Sequence, residues 1–588
     1  MRAFWSKRLR PARCHVPDPR LAIPFRVRRI PSARVLWRND RWFAEKGLDT
    51  SNADIRRELD AWLVEDFGVL AETDGPDELW ADLYGTTNGS IHGGSGRAGS
   101  IAGFNAKGIG RTPLVARNTD FHHSHGSLWL YEAVREIIAA EVVATELPHG
   151  AVPIVALLDT DHDIDVRGSK ELARRAIIVR PDFVGPAIFE RSIYFGEGGT
   201  PDSEQVRDAR RVAAAVRDAV AGVCRFEPDG LSLSGMFHNI GEQLGAGRAA
   251  RLWQGQFSSA NIAVDGAWTD FGAFCSLPDW RRTERDLGER FGDEERLIIE
   301  TIRSVHFSWS KYGQLADWQK LAAACAVHLP EDVNRSFRRT LQKELGLNMF
   351  VDPAGDGEVL DVLCAYYAQQ QAQQSRYEQG DFGTREWISR SLGPVGSGCA
   401  DMRLHSAFCR SYFDRKSLAS LRLATARRVF EPRPLLYQAA ADQNFKRLSN
   451  PTGYNFDYTP AQVDQYIRST VGQSRRFFPN VVDAMVLCQL VDGPITLLLL
   501  TSHDISEPIY WQLTAPIGID GVQVGDATLP LNALGRPTAD GAGLFQTWRL
   551  TIGEVIAFRG GVWLKGVRCH TSNNVIDWRV EPKSPYTT

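Results

Sequence analysis

Residues 92–113 run HGGSGRAGSIAGFNAKGIGRTP, a glycine-rich loop followed closely by a lysine. Glycines at 93, 94, 96 and 99 allow backbone N–H groups to approach an anion, and Lys107 offers a fixed ammonium. Holding a polyphosphate still also requires an oxygen-ligated metal. Working outward, Arg135-Glu136 places a carboxylate on a helical stretch, where it can orient the lysine. Further on, Asn261 and Asp270-Phe271-Gly272 supply oxygen donors of the metal-binding kind. A glycine-rich turn or one Asp-Phe-Gly is weak evidence by itself. Their joint order reads as a nucleotide site of kinase-like design.

The same residues carry a family resemblance. Phe104 to Pro113 resembles the Lys-Gly-x-Gly-x-Thr-Pro segment of the selenoprotein O family of protein adenylyltransferases, and Ala133-Val134-Arg135-Glu136 resembles that family's Ile-Arg-Glu helix. Pro148-His149-Gly150 onward is similar to the strand that follows. Gly255 to Phe274, GQFSSANIAVDGAWTDFGAF, aligns without a gap to the family's metal loop, and Arg339 to Leu347 resembles its Arg-x-Lys-Leu-Gly helix. The likeness covers about residues 80 to 350, with a fainter echo near Arg427 to Gln443.

The resemblance implies a pseudokinase-like fold in which ATP lies inverted relative to ordinary kinases, so that AMP passes to a Ser, Thr or Tyr hydroxyl of a protein. Carried across by position, Gly94, Gly96 and Arg97 touch the nucleotide, Lys107 binds phosphate and pairs with Glu136, and Arg180 binds phosphate. Asn261 and Asp270 hold magnesium or manganese. Lys107, Glu136 and Asp270 are the expected catalytic residues.

Two departures bear on the chemistry. The family's metal loop ends in Asn-Thr-Asp-Asn, its Asp serving as the base, whereas this chain reads Ser258-Ser259-Ala260-Asn261. A small-molecule kinase places its Asp five residues before the Asn, and that position is Gln256. Neither side chain accepts a proton at neutral pH. A general base contributes about 10²–10⁴-fold, while positioning and metal electrostatics carry most of phosphoryl-type transfer. Reduced activity, a more acidic acceptor and a nucleotide-binding pseudoenzyme all stay open. The family's second phosphate-binding Arg has no clear counterpart, although Arg191 is near enough to replace it.

Other motifs read more plainly. His122, His123 and His125 sit in a lengthened loop without a partner Cys or carboxylate at ligand spacing, so a solvated or phosphate-facing loop is favoured over a transition-metal site. Asp159 to Asp165 suggests a calcium loop, but Ile164 stands where the sixth-position glycine belongs and Lys170 where the twelfth-position glutamate belongs. A charged surface turn is expected there.

Composition sets the frame. The 588 residues are 43% hydrophobic and 24% charged, as in an ordinary globular protein of several units. A net charge of -3 argues against nucleic acid as a partner, and no run of 18 apolar residues predicts a membrane span. Residues 1–38 hold eleven Lys or Arg and a single acid, Asp18. With Pro11, Pro17, Pro19 and Pro24 they read as an extended basic arm rather than a mitochondrial targeting helix. Nine cysteines without a Cys-x-x-Cys read as reduced thiols, and cytoplasm is the expected compartment.

Periodicity organises the rest. Ala151 to Leu158 and Ala176 to Arg180 read as strands, and Leu128 to Val142 as a helix bearing Glu136. Ser203 to Val223, Gly235 to Trp253, Glu294 to Phe307 and Leu360 to Tyr377 are helical in spacing. Beyond 450, Ala484 to Val491 and Ile495 to Leu500 flank a turn like a hairpin, and Trp548 to Ile552, Glu554 to Phe558 and Gly561 to Leu564 read as short strands.

The expected fold is α+β: a two-lobed protein-kinase-like (pseudokinase) core with an extended helical C-lobe and a β-rich C-terminal domain. Its parts are a basic arm (1–50), an N-lobe (51–190), a C-lobe (191–350), a helical extension (351–449) and the β-rich appendage (450–588). The appendage is a candidate for acceptor recognition. The expected function is an ATP- and Mg-dependent protein adenylyltransferase acting on a protein or peptide. The alternatives are a kinase-like phosphotransferase acting on a peptide or small molecule, as in natural-product maturation, and a pseudoenzyme.

Overall fold

The structure is a computed structural model that describes residues 2–9, 18–85, 93–116, 119, 124–166, 171–192, 201–222, 231–277, 279–284, 290–344, 353–376 and 459–477, together with strands between 484 and 578. It is a mixed α+β protein with a large antiparallel sheet. The described residues fall into two compact units. One holds those up to Arg338, with 370–376 and 459–474; the other holds 339–344, 353–369 and the described residues from Arg475 onward.

In the first unit, helix α1 (Arg2–Leu9) precedes strands β1 (Ala22–Arg29) and β2 (Arg34–Arg38). Helices α2 (Asp40–Glu45) and α3 (Ala53–Phe67) lead to β3 (Val69–Ala71), β4 (Asp77–Asp82), β5 (Ala98–Ile101) and β6 (Phe104–Lys107). Then come β7 (Leu128–Trp129), helix α4 (Leu130–Glu146), and the long pair β8 (Ala156–Val166) and β9 (Glu171–Pro181). The sheet has nine strands in the order β2-β8-β9-β6-β5-β4-β1-β3, with β7 also paired to β9.

Part of the basic stretch is thus sheet. In β1, Phe25 and Val27 point inward while Arg26 and Arg28 point to solvent, the period-two alternation of a half-buried strand. Trp5 and Leu9 of α1 are buried in the same apolar cluster as Phe25, Trp62 and Phe104.

Helix α4 covers the other face. Leu130, Val134, Ile137, Ile138 and Val142 are buried at helical spacing, each contributing roughly 1.5–3 kcal/mol of hydrophobic stabilisation. The helix starts two residues later than the periodicity predicts, because Leu128-Trp129 pair with Ala176 and Arg175 as a short strand.

Two expectations, one of a strand and one of a turn, need correction. Ala151 to Val155 are not in a strand; β8 begins at Ala156. Pro153 has no N–H to give a ladder, which demotes the first half of that apolar run. Asp159 to Asp165, expected as a surface turn, lies inside β8 with a register shift between Asp159 and Asp163 and Asp161 at φ 58°. Asp159 is fully buried because Arg34 binds it at 3.0 Å and Arg174 lies 3.8 Å away.

Helices α5 (Pro201–Val220), α6 (Leu233–Ala249), α7 (Glu294–Gly313) and α8 (Trp318–Glu344) follow the sheet. Between α6 and α7 run β10 (Leu252–Trp253), β11 (Cys275–Ser276) and β12 (Arg282–Glu284). Helix α9 (Pro353–Gln371) and β13 (Gln374–Arg376) come next, β13 pairing in parallel with β12. Leu252-Trp253, expected as the end of a helix, and Gln374 to Arg376 are therefore strand. Helix α10 (Pro460–Phe477), absent from the sequence reading, buries Val463, Ile467 and Val471, one turn apart, in the main core.

The strands of the second unit form small antiparallel sheets. β14 (Ala484–Asp492) and β15 (Ile495–Ser502) make the expected hairpin, extended by β16 (Gln512–Thr514). β17 (Ile519–Val524), β18 (Ala527–Pro530), β21 (Val567–Thr571) and β22 (Val575–Trp578) form a second sheet, and β19 (Ile556–Phe558) pairs with β20 (Gly561–Trp563). Trp548 to Ile552 lies outside the described residues. No helix among those described is long and apolar enough to cross a membrane.

Candidate nucleotide site

Strand alternation builds one wall of the site. On β6, Phe104 and Ala106 enter the apolar cluster, so Asn105 and Lys107 turn to the opposite face. Asn105 stands opposite Arg180 of β9, and Arg180 Nε donates to Asn105 Oδ1 at 3.1 Å. Asn105 in turn donates to Ser100 Oγ at 3.1 Å, and Ser100 donates to Asp182 at 2.7 Å.

Helix α4 delivers carboxylates to that wall. Glu136 Oε1 accepts from Lys107 Nζ at 2.6 Å, with the two side chains 1% and 2% exposed. One turn earlier, Glu132 Oε1 lies 3.4 Å from Arg97 Nη1. Arg135 between them donates to the carbonyl of Gly272 at 2.7 Å and ties the helix to the Asp-Phe-Gly segment.

Asp270 closes the cluster from the other side. Its Oδ1 is 2.9 Å from Lys107 Nζ and 4.0 Å from Arg97 Nη2. Its backbone adopts φ 55°, ψ 79°, a left-handed conformation that is costly without glycine and so marks a strained position. Gln254 holds that backbone by donating to the carbonyls of Thr269 at 3.2 Å and Asp270 at 3.0 Å. Thr269 also receives Arg180 Nη1 at 2.8 Å on its hydroxyl.

The charges shape one another. Burial alone would raise the Asp270 carboxyl, but Lys107, Arg97 and Arg180 overcome it and hold the group far below the usual carboxylate range. Burial would likewise lower Arg97, yet Glu132, Asp270 and Glu136 hold its guanidinium firmly charged. Glu136 moves upward, because burial outweighs the attraction of Lys107. Burial, with Asp270 nearby, pushes the Tyr84 phenol up to about 12.

Asn105, Arg180 and Asp270 of this cluster line an open cleft. Tyr84, Ser95, Asn261 and Thr269 also line it, together with Phe183, Val184 and Ile188. Gly94 stands at φ 152°, where an added Cβ would lie 2.0 Å from the carbonyl oxygen of Asp82. Only glycine fits there, and Ser95 N–H can then bond that carbonyl at 2.8 Å.

The structure thus brings Arg97, Lys107, Glu136, Arg180 and Asp270 into one charged cluster, and places Asn261 in the same cleft. The Asn261 amide donates to the carbonyl of Gln256 at 2.7 Å. Arg191 is engaged elsewhere, 2.6 Å from Asp208. Ala260 lines the cleft. Ser259 beside it is buried and bonded to Glu190. His122 and His123 lie outside the described residues, and the backbone N–H of Ser127 donates to His125 Nδ1 at 2.9 Å.

Glu132 and Gln254 were missed in the sequence. Glu132 has a signal in its i, i+4 spacing from Glu136 on a helix. Gln254 has none, since its amide reads two carbonyls that only the fold brings near.

Asn261 and Asp270 are hard oxygen donors in one cleft, a set that fits a magnesium ion completed by phosphate oxygens. Among the described residues no group of three or more His, Cys, Asp or Glu is placed to hold a metal by itself. Searches for related proteins add no family to this geometry: no protein-family model matches the chain, and no curated protein matches it.

Proposed function

We propose that this cleft binds ATP with magnesium and that the chain is a transferase with a two-lobed, kinase-like core of the selenoprotein O type, moving AMP onto a hydroxyl of a protein or peptide. The supporting observation is the convergence of Lys107, Glu136 and Asp270 from a strand, a helix and a loop, with Arg97 and Arg180 beside them.

In this reading Lys107 and Arg180 neutralise phosphate, Glu136 holds Lys107 in place, and the backbone beyond Gly94 approaches the nucleotide. A metal at Asn261 and Asp270 would supply charge stabilisation to the phosphates. The inverted orientation is supported by the guanidinium of Arg180, bonded to Asn105 on the cleft wall near β9, which suits a phosphate better than a purine, which prefers an apolar slot.

Ala260 and Gln256 favour a second reading, a nucleotide-binding pseudoenzyme. Incubation with ATP labelled separately at the α and γ phosphates, followed by intact mass of protein and added acceptors, separates the cases. Retained α label with a gain of AMP supports adenylyl transfer. Retained γ label moves the assignment to a phosphotransferase, and saturable binding without incorporation supports the pseudoenzyme.

A further inference from the structure

Helix α4 carries two carboxylates into the charged cluster, and each takes a different cation. Glu136 takes Lys107, and Glu132, one turn earlier, takes Arg97. Arg97 is therefore suspended between Glu132 at 3.4 Å and Asp270 at 4.0 Å, with its side chain 29% exposed and that of Glu132 12% exposed. Around Asp270, three cations (Arg97, Lys107, Arg180) meet three carboxylates (Glu132, Glu136, Asp270), and Asp82 and Asp182 also line the cleft, so the site holds no excess of positive charge before a ligand arrives.

We propose that Glu132 is a positioning residue for Arg97 and that its negative charge makes binding of a nucleoside triphosphate in this cleft depend on a divalent metal. The inference rests on the nucleotide reading above. A metal-free polyphosphate brings its full negative charge to a site with no excess of positive charge, whereas an accompanying divalent cation cancels two of those charges. Without Glu132 one negative charge of the site is gone, and the metal-free ligand meets less repulsion. The Gln side chain keeps an acceptor oxygen for Arg97 and removes only the charge.

The test measures ATP affinity of the full chain by calorimetry, once in EDTA and once in excess magnesium, for the wild type, Glu132→Gln and Arg97→Gln, with melting curves as folding controls. Removing one nearby charge at intermediate effective dielectric is expected to tighten metal-free ATP binding about tenfold in Glu132→Gln, with a smaller change in magnesium. Arg97→Gln is expected to weaken metal-free binding more than magnesium-ATP binding. A Glu132→Gln protein with unchanged affinities, or with equal weakening in both conditions as a structural role would give, overturns the inference. If Glu132→Gln does not fold, Arg97→Gln decides alone: an unchanged ratio of the two affinities overturns it. No saturable binding by the wild type in either condition sinks the nucleotide reading, and this inference with it.

Discussion

Lys107 and Glu136 meet at 2.6 Å with almost no solvent contact, one from β6 and the other from α4, so this ion pair joins the sheet to the helix. Removing Glu136 leaves the buried Lys107 ammonium with Asp270 as its remaining carboxylate partner, so the cost is at most about 3–5 kcal/mol, that of breaking a buried pair outright. Glu136→Ala is accordingly expected to lower the chemical-denaturation midpoint markedly. The paired change Lys107→Met with Glu136→Leu should recover much of that stability while losing nucleotide binding. Equal midpoints for wild type and Glu136→Ala would contradict the buried pair.

Asp270→Ala removes the carboxylate that Lys107 and Arg97 both face. Magnesium-dependent ATP binding is expected to disappear, along with any transfer. Calorimetry in magnesium reads this directly, and retained metal dependence would remove Asp270 from the metal site.

Ala260→Asp restores an ionisable group on the cleft wall. If the scaffold is otherwise competent, transfer should rise by about 10²–10⁴-fold, the usual contribution of a general base. The α-label assay measures it. No gain would show that the missing base is not what limits this protein.

Gly94→Ala forces a Cβ to within 2.0 Å of a backbone oxygen at a φ that L residues avoid. The loop must shift, and ATP affinity is expected to fall by at least the tenfold that about 1.4 kcal/mol represents. Unchanged affinity would place the loop outside the binding site.

His306 lies stacked on Phe237 and bonds the carbonyl of Ile302 at 2.8 Å. Burial lowers its pKa below the ordinary value near 6.5. The unfolded chain then binds the proton more readily than the folded one, so this contribution is present above the unfolded pKa and is lost as pH falls through the folded pKa. Denaturation midpoints measured downward from neutral pH should drop in the wild type, and less steeply in His306→Phe. Identical slopes would remove His306 from the acid response.

The legible part of the molecule was the part governed by local rules. Glu136 could be placed because α4 repeats at helical spacing, and Arg180 because β9 is a clean β-branched run. Asp159 was misread because its burial depends on Arg34, 125 positions away in sequence, and on Arg174 of the facing strand. Pro153 spoiled the first half of an otherwise good strand by its missing donor. Val463, Ile467 and Val471 show helical spacing in the sequence, but the stretches beyond residue 480 have the composition of strands and mask this one helix. Arg97 could be named from its loop, whereas its suspension between Glu132 and Asp270 is a product of tertiary packing alone.

The facing of β6 and β9 has a consequence for how this chain can vary. Asn105, Lys107 and Arg180 share a face because Asn105 stands opposite Arg180 and Lys107 opposite Ile178. Loss or gain of one residue within β6 would turn Asn105 and Lys107 into the apolar cluster and send Phe104 and Ala106 toward the cleft, since a strand's faces exchange with every single step. Length changes in the surrounding loops carry no such reversal. Insertions and deletions should therefore accumulate on either side of these four residues and stop at their borders, a pattern that an alignment of related chains reveals without any assay.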